Sequence, residues 1–229
     1  MAESIQQGPE SDHHRIPKNL PPIYRHVTTH SSKGKAIFDD SISPSACWEN
    51  VPLDPEIPPM ASFFLAYATT GFPIDVNPSL ADKNNESRDK IREPRDIKHY
   101  KQKLSDDPLE LIHNDVLLMK FHEMKLTSFI FVSLATVLRY VDFRPGSPPF
   151  MHRTQSLDYG IVIEGEIELI LDSGETRTLK RGDVCVQRAT MHAWRNNSET
   201  EWARMVFVLI SSTLPSVLEE DSSTVVSSL

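Results

Sequence analysis

From Gly146 to Asn196 the chain is a run of short apolar segments cut by glycine turns, and no proline follows Pro149 until Pro215. Glu166-Ile167-Glu168-Leu169-Ile170-Leu171 alternates polar and apolar residues. A period of two is the mark of a strand with one wet face. Asp172-Ser173-Gly174 and Lys180-Arg181-Gly182-Asp183 read as turns. Strand-like segments surround them at Tyr159–Glu164, Glu175–Leu179, Val184–Gln187, His192–Asn196 and Ala203–Ile210. Six short strands with tight turns predict an antiparallel barrel or sandwich.

Composition narrows the function. The 229 residues suit one domain with extensions, or two small ones. Hydrophobic residues make up 39% and aromatics 8%, enough for a modest core but low for one spread over the whole chain. The net charge is -8, and Lys and Arg form no block, which argues against a nucleic-acid partner. A small organic substrate or a protein partner fits better. Cys47 and Cys185 are expected as two reduced thiols, with no disulfide framework. The first 22 residues lack the apolar core of a signal peptide. The longest apolar run, Phe129–Leu138, is shorter than the roughly 20 residues that span a bilayer. A cytoplasmic location is the expectation, with no membrane contact.

Five regions follow. Residues 1–22 are polar and read as a disordered tail. Residues 23–77 form an N-terminal strand-bearing extension, with strand-like pieces at 23–27, 35–38 and 61–69 and a turn at Gly34. Pro52, Pro55, Pro58 and Pro59 break regular structure between them. Residues 78–124 read as a charged loop or insert. A short helix over 108–126 would place His113 and His122 on nearly opposite faces, where they are poor co-ligands. Residues 125–212 carry the strand series, and 213–229 form a flexible C-terminal tail.

His152 and His192 lie forty residues apart, each beside a strand-like segment. Folding that brings them together would make a metal or ligand pocket; otherwise each is a hydrogen-bonded, partly buried histidine. Trp194, two residues after His192, shares its face and suits either an aromatic pocket floor or the core. Arg153 alternates against His152 and Thr154 and is expected to be a surface or structural group. Gln187 and Arg188 lie on opposite strand faces, so at most one points inward. Tyr159 alternates against Asp158, with packing as its default role.

The spacing of these residues resembles the two signature motifs of the cupins. Gly146, five residues, His152, then Thr154, Asp158 and Gly165 follow the first motif. Thr154 stands where that motif has a second histidine, and Asp158 where it has glutamate. Gly182, the Gln187–Thr190 turn, His192 and Asn196 follow the second motif. The runs His152–Gly160 and Gln187–Asn196, with Arg25–His30 and Gly34–Phe38, further resemble small fungal cupins associated with polyketide and other secondary-metabolite biosynthesis. Residues 114–133 depart from that pattern, as an added element or as translated intron sequence.

The resemblance implies an all-β fold, a cupin-type antiparallel β-barrel (a double-stranded β-helix or jelly roll) with an N-terminal strand extension. It makes a homodimer the expected assembly. It assigns His152, Asp158 and His192 as catalytic and metal-binding residues. Thr154, Arg188 and Trp194 are expected at the substrate, Arg188 because a guanidinium pairs with carboxylate or enolate oxygens. Two imidazoles and a carboxylate can hold a divalent transition ion and leave positions open. Fe(II) is favoured for oxidative chemistry, with Mn(II), Zn(II) or Ni(II) as alternatives, or no metal at all. The implied function is a metal-dependent oxidoreductase that tailors a polyketide-like or aromatic intermediate. A dehydratase, decarboxylase or isomerase, with or without metal, is the alternative enzyme. A non-catalytic, small-molecule-binding accessory protein is the alternative outside enzymes.

Overall fold

The computed structural model describes residues 18–51, 60–77, 93–106, 134–213 and 215–216. The N-terminal part contains β1 (Thr28–His30) and β2 (Ala36–Phe38), paired around Gly34, whose φ of 72° suits the turn. β3 (Glu49–Val51) and β4 (Ala61–Thr70) pair next, followed by helix α1 (Arg95–Asp106). Then come β5 (Leu134–Phe143), β6 (Ser156–Glu164), β7 (Glu166–Leu171), β8 (Thr176–Lys180), β9 (Val184–Arg188), β10 (His192–Arg195) and β11 (Ala203–Ser211).

The strands form a six-stranded sheet, β3-β4-β5-β11-β6-β9, and a three-stranded sheet, β10-β7-β8, with the β1-β2 hairpin apart. All the pairings are antiparallel. The two larger sheets face each other across one core. Val141, Val162, Met205 and Phe207 from the large sheet meet Ile167, Leu169, Leu179 and Trp194 from the small one. The period-two alternation in β6 and β7 is what gives each sheet an apolar inner face.

The expected closed barrel is therefore corrected to an open pair of sheets. The large ladder ends at β3 and β9, the small one at β10 and β8, and no ladder among the described residues joins them. The chain changes sheet at Gly165, between β6 and β7, where φ is 76°. A Cβ there would lie 3.0 Å from the Ala203 Cβ, so the corner needs glycine for space as well as for conformation. Alternation predicts strands and faces equally well in a barrel and in a sandwich. It does not say which strand edges are hydrogen-bonded.

The N-terminal region joins the large sheet directly, because β4 runs antiparallel along β5. Within the expected tail, Lys18 binds Asp142 at 2.6 Å, and the Pro21 carbonyl accepts from Arg204 at 2.6 Å. Helix α1 lies in the stretch expected to be a charged loop. Ile97 and Tyr100 bury against Leu65, Ala68 and Val137, and the Tyr100 hydroxyl donates to the Leu65 carbonyl at 2.8 Å. Three-residue spacing puts Ile97 and Tyr100 on one helix face. The helix expected over 108–126, and the segment 114–133, lie outside the described residues. No helix among the described residues is long and apolar enough to cross a membrane. Cys47 and Cys185 are both free thiols.

Candidate functional site

His152 and His192 are brought together by the backbone. They form an isolated antiparallel bridge, each N–H donating to the other's carbonyl at 2.8 Å. Directly opposed residues of such a pair project to the same side, and the two imidazole centroids lie 4.4 Å apart. Each ring is fixed by its own loop. His152 Nδ1 lies 3.0 Å from the Phe150 carbonyl, and His192 Nδ1 lies 2.9 Å from the Thr190 carbonyl. A carbonyl only accepts, so each Nδ1 carries the proton and Nε2 is the basic nitrogen.

The pair sits in a largely buried setting. His192 is 2% exposed. Its pKa is pulled down to about 4, first by burial and then by interaction with His152, against the hydrogen bond to Thr190. The Trp194 ring meets His192 edge-on at 5.5 Å, and Phe207 lies 5.5 Å beyond Trp194. Trp194 thus packs in the core and lies against the histidine.

The large sheet supplies the opposite wall. β6 pairs with β9 so that Asp158 stands across from Gln187, and Gly160 across from Cys185. β11 sets Leu209 beside Asp158 and Phe207 beside Gly160, and β5 sets Arg139 beside Phe207. Residues in register share a face, so Asp158, Gln187, Cys185 and Arg139 line the inside along with the core residues. Asp158, Gln187, Thr154 and Ser156 are all buried, and the Thr154 hydroxyl donates to Asp158 at 3.1 Å. Burial, then the nearby Asp158, raises the Cys185 pKa and keeps this thiol protonated.

The same register places the remaining residues. Arg188, predicted at the substrate, lies on the outer face and is exposed. Gln187 is the inward member of that pair. Tyr159 also points outward and is 41% exposed. Arg153 is half-buried. Asn196 is a structural residue. Its amide donates to the Phe143 and Glu201 carbonyls at 3.1 and 2.8 Å, and its carbonyl oxygen accepts from the Ser198 N–H at 3.0 Å. The sequence singles out neither Arg139 nor Ser156, and Cys185 only as a reduced thiol. Their inward parity is readable only once β5, β6 and β9 have a register.

The donor set fits a divalent ion in part. Imidazoles anchored through Nδ1 to carbonyls have the orientation that metal ligands use. Among the described residues, however, no three His, Cys, Asp or Glu side chains gather into a metal-binding group, so Asp158 does not complete a set with the two histidines. A surface cavity of about 450 Å³ lies elsewhere, lined by Glu166, Glu168, Glu201 and Trp202 among others. None of His152, Asp158 and His192 lines it.

Known proteins with this pattern place the chain. The cupin domain family matches residues 139–209. Phomopsin biosynthesis cluster protein D of Diaporthe leptostromiformis is 41% identical over 212 residues, which cover 93% of this chain and 86% of that protein. The chain belongs to the cupins. Two further relatives extend the comparison. Oryzines biosynthesis cluster protein J of Aspergillus oryzae is 34% identical, over 85% of this cupin and 86% of that protein. The cupin-domain-containing oxidoreductase virC of Hypocrea virens is 34% identical, over 81% of this chain and 74% of that one. The residues matched to the family run from Arg139 in β5 to Leu209 in β11, and so include both histidines and both walls around them.

Proposed function

We propose that this cupin is a tailoring enzyme of fungal secondary metabolism, an oxidoreductase that acts on a small polyketide-like or aromatic intermediate between its two sheets. The observation that carries the reading is the buried pair His152 and His192, each ring locked through Nδ1 so that Nε2 is the working nitrogen. The names of its relatives, biosynthesis cluster proteins and oxidoreductases, support the setting and the reaction class.

The two histidines would hold a divalent transition ion, iron by preference, and such an ion supplies Lewis-acid and redox chemistry. The protein's own residues do the rest. The apolar wall of Trp194, Phe207 and Leu209 excludes water and packs an unsaturated or aromatic substrate. Burial keeps His192 neutral at physiological pH, the state a ligand or a proton acceptor needs. Thr154 orients Asp158 by donating to it.

The test is turnover of an intermediate from a neighbouring biosynthetic step, with and without O₂, in wild type, His152→Ala and His192→Ala. Oxygen consumption coupled to product, lost in both variants, is the expected result. Anaerobic turnover that survives chelation would replace oxidation with a lyase or isomerase step run by the histidines. Unchanged turnover in both variants would remove the site altogether.

A further inference from the structure

Gln187 has an unusual position for a residue that does nothing. It is 3% exposed, on the inner face of β9 and directly across from Asp158. Its Oε1 accepts a hydrogen bond from the Thr190 hydroxyl, which fixes the amide and turns Nε2 away from Thr190. Nε2 is buried and has no hydrogen-bond partner among the described residues. One turn of the same loop ties this amide to the histidine, because the Thr190 carbonyl also anchors His192 Nδ1. Ser156 repeats the pattern. It is 5% exposed, two residues before Asp158 on the same face of β6, and its Oγ is buried without a partner. Its carbonyl accepts from the Ala189 N–H at 3.0 Å, so Ser156 adjoins the loop that carries Gln187.

A buried donor with no acceptor destabilises a fold, and proteins keep few of them. Two such groups on the same inner face of the β6–β9 pair, joined to His192 through the Gln187–Thr190 loop, are the mark of a site completed by a ligand. We propose that Gln187 Nε2 and Ser156 Oγ together bind one carbonyl or enol oxygen of the substrate. This inference rests on the reading that the histidine pair marks the reacting centre. A carbonyl oxygen has two lone pairs and accepts both bonds. A second carboxylate is the poorer occupant, since it would stand against Asp158. Gln187 and Ser156 therefore set specificity for an oxygenated, uncharged end of the substrate, and the aromatic wall takes the apolar remainder.

The experiment uses acetophenone as probe and ethylbenzene as its oxygen-free match, titrated against the full chain by protein-detected NMR. Wild type is expected to prefer acetophenone by roughly tenfold or more, the range for one or two buried hydrogen bonds. Gln187→Leu is expected to lose that preference, with ethylbenzene binding unchanged or tighter. Ser156→Ala should lose part of the preference. An undiminished preference in Gln187→Leu, or a wild type that binds no acetophenone, would overturn the inference. The reading of the histidine pair is decided separately, by turnover in His152→Ala and His192→Ala. Acetophenone shifts that map away from both histidines would sink the two ideas together.

Discussion

Ala189 is the residue on which the site's geometry turns. Its φ is 53°, in the region that favours glycine, and no other non-glycine residue among those described has a positive φ. The strain lies three residues before His192, in the loop that fixes Gln187, Thr190 and the histidine ring. Ala189→Gly is expected to raise stability by roughly 0.5–1 kcal/mol, read by chemical denaturation, with the histidine geometry retained. His192 makes the second argument at this scale. Its folded pKa of about 4 lies below the ordinary 6.5, so below that pH the unfolded chain binds more protons than the folded one. Stability contributed by neutral His192 is complete above about pH 6.5 and is lost as pH falls towards 4. The full loss is on the order of 3 kcal/mol. Denaturation of wild type and His192→Gln across that window checks it, since the variant should lose the slope. Much of this was legible in the sequence: the two histidines, Asp158 and Thr154 stand at motif spacings. Gln187 was legible only as an alternative to Arg188, because parity says that one faces inward and register says which.

At the level of elements, Gly160 of β6 makes room for the Phe207 side chain of β11. A Cβ at Gly160 would stand 2.8 Å from Phe207 Cε1 and 3.3 Å from Met205 Cε. The Phe207 ring occupies the space that glycine leaves and from there supports Trp194 and, through it, His192. Gly160→Ala should cost about 1–3 kcal/mol by overpacking and should also weaken turnover, because the Phe207 ring must move. A thermal shift assay beside the turnover measurement checks both halves. Strands β6 to β11 were readable from alternation and turns, since Gly174 and Gly182 punctuate them. Helix α1 was not. Ile97 and Tyr100 are its buried apolar anchors among charged residues, and they pack on β4 and β5 rather than forming a long apolar stripe.

Across the whole molecule, the N-terminal residues and the large sheet are joined at Asp142. This carboxylate is fully buried and receives Arg204 through Nε at 2.6 Å and Nη2 at 2.8 Å, with Lys18 at 2.6 Å. Arg204 also stacks on Trp48 at 4.9 Å and holds the Pro21 carbonyl. Removing one member strands a buried charge, so Asp142→Ala should destabilise the protein by roughly 3–5 kcal/mol in equilibrium unfolding. No local pattern announces this node, which assembles residues from opposite ends of the chain. The same limit explains the barrel. Six strands were foreseen, but whether their edges close is a property of long-range pairing, and here they remain two facing sheets. The proposed function makes His152 and His192 one metal-holding pair between those sheets. Anomalous diffraction at the iron edge, from crystals of protein loaded with Fe(II) without oxygen, tests it most directly. The expected result is a single peak shared by the two imidazole Nε2 atoms and lost in His192→Ala. Turnover-competent crystals with no peak there, or with a peak away from both rings, would contradict it.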